Sequence, residues 1–190
     1  MGLFGIASEL KTPRKPSRHT TDTLLDRVTP RLDLDPSVVS ERVRALQAAL
    51  PGTDIRYAVK ANPHPAVLEA VAAAGAGFDV ASTAETRAAL ATGCPAGVLI
   101  HSNPVSARTE LAANAALGVG LFVIDSVGEI DKLADVAPGC RVLVRLATSG
   151  AGSDWPLSRK YGATPAKTHH ARSAWNAIRV LFGCHFLFLQ

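Results

Sequence analysis

The feature that most constrains this chain is a rhythm. Short apolar runs at 55–59, 77–82, 97–104, 120–125 and 140–148 recur about every 20 to 24 residues. They are separated by stretches of helical periodicity, several of which stop at a glycine: Gly75, Gly93 and Gly118. Apolar runs with little alternation are what strands covered on both faces look like. Strict alternation of such strands with helices means a parallel sheet. The expected helices begin at Asp35-Pro36-Ser37, with Val39, Val43, Leu46 and Leu50 on one face, and continue at 64–75, 84–92, 106–117 and Ser126 to about Val136.

A doubly wound sheet and a (β/α) barrel both satisfy this pattern. No G-x-G-x-x-G follows any strand, and the even spacing favours the barrel. A complete barrel has eight strands and about 250 residues. The 190 residues here offer five good strands and a sixth apolar run at 183–189. The expected fold is therefore α/β, a partial (β/α)8 barrel cut after five or six strands, occupying 32–190 behind a flexible lead at 1–31.

The remaining composition excludes more than it selects. With 47% hydrophobic and 19% charged residues the chain is ordinary globular material. Much of the net charge of +4 is local, from Lys11, Arg14, Lys15, Arg18 and His19. No aromatic residues interleave that run, so a solvated tail is expected rather than a nucleic-acid surface. Cys94, Cys140 and Cys184 have neither metal-ligand spacing nor disulfide pairing, which suits a reducing cytoplasm. No secretory signal is visible. The longest uncharged run, 88–107, contains Pro95, His101, Asn103 and Pro104 and is not a membrane span.

In a parallel βα sheet the chemistry gathers at the carboxyl ends of the strands. The residues expected there are Lys60, Asp79, Ser82, His101, Ser102, Asn103, Asp125, Ser126, Arg145 and Thr148, with Glu85 one turn into the following helix. Several have structural explanations. Ser82 and Glu85 form the two ends of a capping box, Asp125-Ser126 suits a helix start, and His101 suits a core position. Asp79 in an apolar strand pairs with Arg145 or Lys60. Lys60 stands apart. An ammonium at the tip of a core strand is costly unless paired or neutralised, and a neutral amine attacks aldehydes. A functional amine and a structural ion pair both remain open for it.

Five ordered motifs carry a resemblance. "YAVKANP" (57–63), "GFDVASTAE" (77–85), "SNPV" (102–105), "FVIDSVGEIDKL" (122–133) and "VLVRLATSGAGSDWPLSRKYGATP" (142–165) resemble the N-terminal part of the alanine-racemase-fold, pyridoxal-phosphate-dependent decarboxylases. The last stretch is most similar to the ornithine decarboxylase branch. The resemblance implies pyridoxal 5'-phosphate as cofactor and Lys60 as its Schiff-base lysine. It also implies that Asp79, Glu85 and Arg145 lie beside the cofactor, and that Lys160 ends a mobile loop at 149–159. The implied reaction is decarboxylation of a basic amino acid, ornithine to putrescine, within polyamine biosynthesis, in a cytoplasmic homodimer. The alternatives are a diaminopimelate or arginine decarboxylase, a racemase, a pyridoxal-phosphate carrier, or a regulatory homologue without catalysis.

The resemblance covers 32–167. The family's later strands, which supply further cofactor contacts, and its C-terminal β domain have no counterpart here. At the family's cofactor-stacking histidine the alignment has Leu187, with His185 two residues out of register. The tail "THHARSAWNAIRVLFGCHFLFLQ" (168–190) departs from the preceding texture and suggests a frame change or a truncated gene. The expectation is a chain that is unstable and inactive alone.

Overall fold

The computed structural model describes residue 30, residues 33–147 and 161–163, and the backbone of 179–181. The lead at 1–29, the loop 149–159 with Lys160, and the tail positions Cys184, His185 and Leu187 lie outside the described residues.

Among the described residues the first helix, α1 (Pro36–Ala49), starts where Asp35 accepts from the Ser37 amide at 2.9 Å, with proline in its first turn. Then come β1 (Arg56–Ala58), a 3-10 turn (Val59–Ala61), α2 (Pro65–Ala73), β2 (Gly77–Val80) and α3 (Thr83–Leu90). A second 3-10 turn (Ala96–Val98) leads into β3 (Leu99–His101), followed by α4 (Arg108–Ala116), β4 (Leu121–Ile124), α5 (Val127–Val136), β5 (Arg141–Val144) and β6 (Arg179–Leu181). All six strands are parallel and lie in sequence order. The expected βα alternation is thus present through β5. The structure has a strand at 179–181, and the expected run at 183–189 lies outside the described residues. Arg179-Val180-Leu181 pairs in parallel register with Arg141-Val142-Leu143.

Strand parity sorts the sheet into two faces. Phe78, Val80, Leu99, Phe122, Ile124 and Val142 face the helices and meet Val67, Leu68, Val71, Leu111, Ile130 and Leu133 in one core. Ile100, Leu121 and Val123, with Leu143 against them, form a smaller cluster on the opposite face. The register Ala58↔Asp79↔Ile100 puts Asp79 on that second face. One face therefore carries the stability and the other is left to hold polar groups.

Close backbone approach makes one glycine necessary. A Cβ on Gly77 would sit 2.3 Å from the Val98 carbonyl oxygen. That oxygen already accepts from Arg56 Nη1 at 2.6 Å, which holds it in place. Gly77→Ala should therefore lower stability by about 1–3 kcal/mol through overpacking. The urea midpoint will fall at an unchanged slope; a midpoint equal to that of the unsubstituted chain would mean that the Val98 peptide moves freely.

Candidate active site

The carboxyl edge of the sheet begins at the turn 59–61. The ladder ends at Ala58, Val59 takes the last fully buried place, and the chain turns before Asn62-Pro63. Lys60 is thereby lifted out of the sheet and is exposed. This corrects the expectation of a buried strand-tip amine: the desolvation invoked for it is not there. The turn packs against both β2 and α3, the elements that carry Asp79 and Glu85.

Asp79 is buried at 6% exposure in the middle of an apolar strand. Its charge acts on Arg56, two residues back along β1 on the same face. Burial lowers the Arg56 pKa, while Asp54 and Asp79 oppose that shift and Arg141 adds to it. The neighbourhood of Asp79 is thus a charged layer on an otherwise apolar face.

Glu85 is held at the start of α3. Ser82 Oγ accepts from the Glu85 amide at 3.2 Å, and Glu85 Oε2 accepts from the Ala81 amide at 2.8 Å. This is the capping box expected from "STAE", with the carboxylate reaching one residue further back than usual. It fastens the helix start to the exit of β2, just beyond Asp79. A second carboxylate reinforces the same turn. Glu110 Oε2 accepts from both the amide (2.9 Å) and the hydroxyl (2.7 Å) of Thr83, which lowers the Glu110 pKa. Asn114, fully buried, donates to Thr83 Oγ1 and accepts from Thr86 Oγ1 at 2.5 Å.

Arg145 follows β5 at the same edge, three strands along from β2, and its amide donates to the Ile124 carbonyl at 2.8 Å. Its guanidinium carbon lies 4.8 Å from the centre of the Tyr161 ring. The segment 161–163 is fastened here by a parallel bridge between Leu146 and Ala163. Asp125, expected to help start a helix, instead accepts from the Gly162 amide at 3.0 Å. Ser126 occupies the N-cap of α5 without a side-chain cap bond. Sequence reasoning missed Tyr161 and the role of Asp125, because their contacts, Arg145 with Tyr161 and Asp125 with Gly162, join residues far apart in the chain. The one local signal was the glycine of "KYGA".

His101 does not join this group. It pairs with Val80 and Phe122, so it faces the helices, 1% exposed, with its ring 5.7 Å from that of Phe122. Neither ring nitrogen has a partner among the described residues. Cys140, at the opposite end of the sheet, is buried, and its thiol is pushed up to about 11 by that burial. Among the described residues no cluster suits a metal, and no helix is long and apolar enough to cross a membrane.

The pyridoxal-binding domain of the pyridoxal-dependent decarboxylases matches residues 37–186. The chain belongs to this family. The lysine/ornithine decarboxylase of Selenomonas ruminantium is 36% identical over 148 residues, covering 77% of this chain and 38% of that protein. Among solved structures, a substituted form of SrLDC in complex with PLP superposes with a TM-score of 0.79 at 32% identity, over 88% of this chain and 44% of that one. The lysine/ornithine decarboxylase of Vibrio vulnificus complexed with putrescine gives 0.72 at 30% identity, over 85% and 43%. The chain thus spans well under half the length of these relatives. The shared fold is the α/β barrel expected from the strand rhythm, and the family's cofactor is pyridoxal phosphate.

The residues present suit that cofactor. An exposed primary amine, a buried carboxylate, a carboxylate fixed at a helix start and a guanidinium laid on an aromatic ring match a molecule bearing an aldehyde, a pyridine ring and a phosphate.

His101 generates a prediction about pH. Burial lowers its folded-state pKa from 6.5, with its own backbone and Glu110 opposing more weakly. Its contribution to stability is therefore complete above about pH 6.5 and is lost as pH falls toward the lowered folded value. The loss for this single proton is at most about 1.4 kcal/mol per pH unit. Urea midpoints measured from about pH 7 to 5 should fall less steeply for His101→Gln and His101→Leu than for the unsubstituted chain. Parallel slopes would mean that His101 is protonated without cost.

Proposed function

We propose that residues 32–190 form the cofactor-binding unit of a pyridoxal-phosphate-dependent decarboxylase acting on a basic amino acid, with ornithine as substrate and putrescine as product. The observation that carries this reading is the packing of the Lys60 turn against β2 and α3, which bear Asp79 and Glu85. In this reading Lys60 is the catalytic amine that holds the cofactor at its aldehyde carbon. Asp79 and Glu85 present fixed carboxylates to the same edge, and Arg145 balances the negative charge of cofactor and substrate. Bound pyridoxal phosphate supplies an electron sink for the carbanion left when carbon dioxide departs. The residues of this chain bind and orient; Glu85, with one oxygen tied to the Ala81 amide, keeps its position while substrates exchange. Cytoplasmic location, a homodimer and a place in polyamine biosynthesis belong to the same proposal.

Lysine is the second reading, because the Selenomonas and Vibrio relatives carry both substrates in their names. Titration with pyridoxal phosphate tests the proposal. The chain should bind it with a visible absorbance change that Lys60→Ala abolishes. Added ornithine should alter that spectrum more than lysine, arginine or diaminopimelate at equal concentration. A larger response to lysine transfers the assignment to that substrate. Equal binding by Lys60→Ala would overturn the role of Lys60.

A further inference from the structure

Arg145 directly follows the last residue of β5, and its amide still donates to the Ile124 carbonyl of β4. Four contacts from a distant segment converge on this point. The Tyr161 ring lies under the guanidinium at 4.8 Å. The Ala163 amide donates to the Arg145 carbonyl at 2.8 Å, and the Ala147 amide donates to the Ala163 carbonyl at 3.0 Å. Asp125, at the exit of the neighbouring β4, accepts from the Gly162 amide at 3.0 Å. Gly162 itself has φ +106, and a Cβ there would lie 2.6 Å from the Ala147 nitrogen. The backbone is thus brought so close that only glycine fits, and the closeness sets the height of the Tyr161 ring against Arg145.

We propose that Tyr161 is a positioning residue for Arg145, and that Asp125 holds the segment 161–163 which presents it. A guanidinium stacks flat on an aromatic face while its edge donors stay available, so the contact orients Arg145 without consuming its hydrogen bonds. Asp125 ties β4 to the same segment, so the exits of two strands and the ring form one unit. The consequence for affinity rests on the reading of Arg145 as a cofactor-side residue.

Two measurements test this. The first needs no cofactor. In the NMR spectrum the Arg145 side-chain protons should carry an upfield ring-current shift that survives in Tyr161→Phe and disappears in Tyr161→Leu. Asp125→Ala should weaken the shift and Asp125→Asn, which keeps an acceptor oxygen, should preserve it. A shift unchanged by Tyr161→Leu overturns the proposal. The second is pyridoxal phosphate affinity. Tyr161→Leu should weaken it by roughly three- to tenfold and Tyr161→Phe by less than about twofold. In an Arg145→Ala background, Tyr161→Leu should add less than about twofold, because its effect passes through Arg145. The same loss in both backgrounds overturns the positioning role. If Arg145→Ala binds as tightly as the unsubstituted chain, the cofactor-side reading of Arg145 fails instead, and the ring-current shift still decides whether Tyr161 holds it.

Discussion

A parallel ladder delivers every strand to the same edge, and that geometric fact is what the candidate site depends on. Each βα unit runs up through the sheet and returns outside it, so residues tens of positions apart come out side by side. Lys60, Asp125 and Arg145 follow β1, β4 and β5, and Asp79 lies within β2 near its carboxyl end, on one side of the sheet because the four strands share a direction. The register that aligns Ala58 with Asp79 and Ile100 also decides which face each side chain takes. The helix-facing side, with Phe78, Phe122, Leu99 and Val142 fully buried, provides the hydrophobic stabilisation. The other face is thereby free to carry Asp79 beside Arg56, a costly arrangement for a core and a useful one for a site.

The rim is not held by the sheet alone. At α3, Ser82, Glu85 and Glu110 satisfy the amides of Glu85, Ala81 and Thr83, donors that a helix start otherwise leaves open. At β5, the segment 161–163 extends the parallel pairing past the end of the strand. Both devices use charge-assisted bonds to backbone amides, the stronger kind of hydrogen bond. They fix loops where function requires exposed polar groups and apolar packing is thin.

Much of this was legible in the sequence, and the misses have physical causes. Helix starts and stops are local: Asp35-Pro36, Ser82 with Glu85, and glycines after helices each act within one turn. The element order follows from them. Face assignment is not local. Nothing in the sequence relates the parity of Asp79 to that of His101; only the register Val80↔His101 shows that the histidine faces the helices. Lys60 was expected to be buried because "RYAVK" reads as one strand, whereas pairing stops at Ala58. The strand at 179–181 was not expected, because its pairing with β5 joins residues 38 positions apart and leaves no local signal. The tie from Asp125 to Gly162 spans 37 positions and leaves no periodic trace. The five motifs carried the family, and the match over 37–186 bears that out.

The central claim is that this edge singles out one amine among the chain's six lysines for the cofactor. The most direct measurement is covalent mapping. The purified chain is incubated with stoichiometric pyridoxal phosphate, reduced with borohydride, digested and read by peptide mass spectrometry. The account predicts the reduced pyridoxyl group on the peptide containing Lys60 alone. Label spread across Lys132, Lys160 and Lys167 as well would contradict it, since the cofactor would then be reacting with lysines indiscriminately and not at one site.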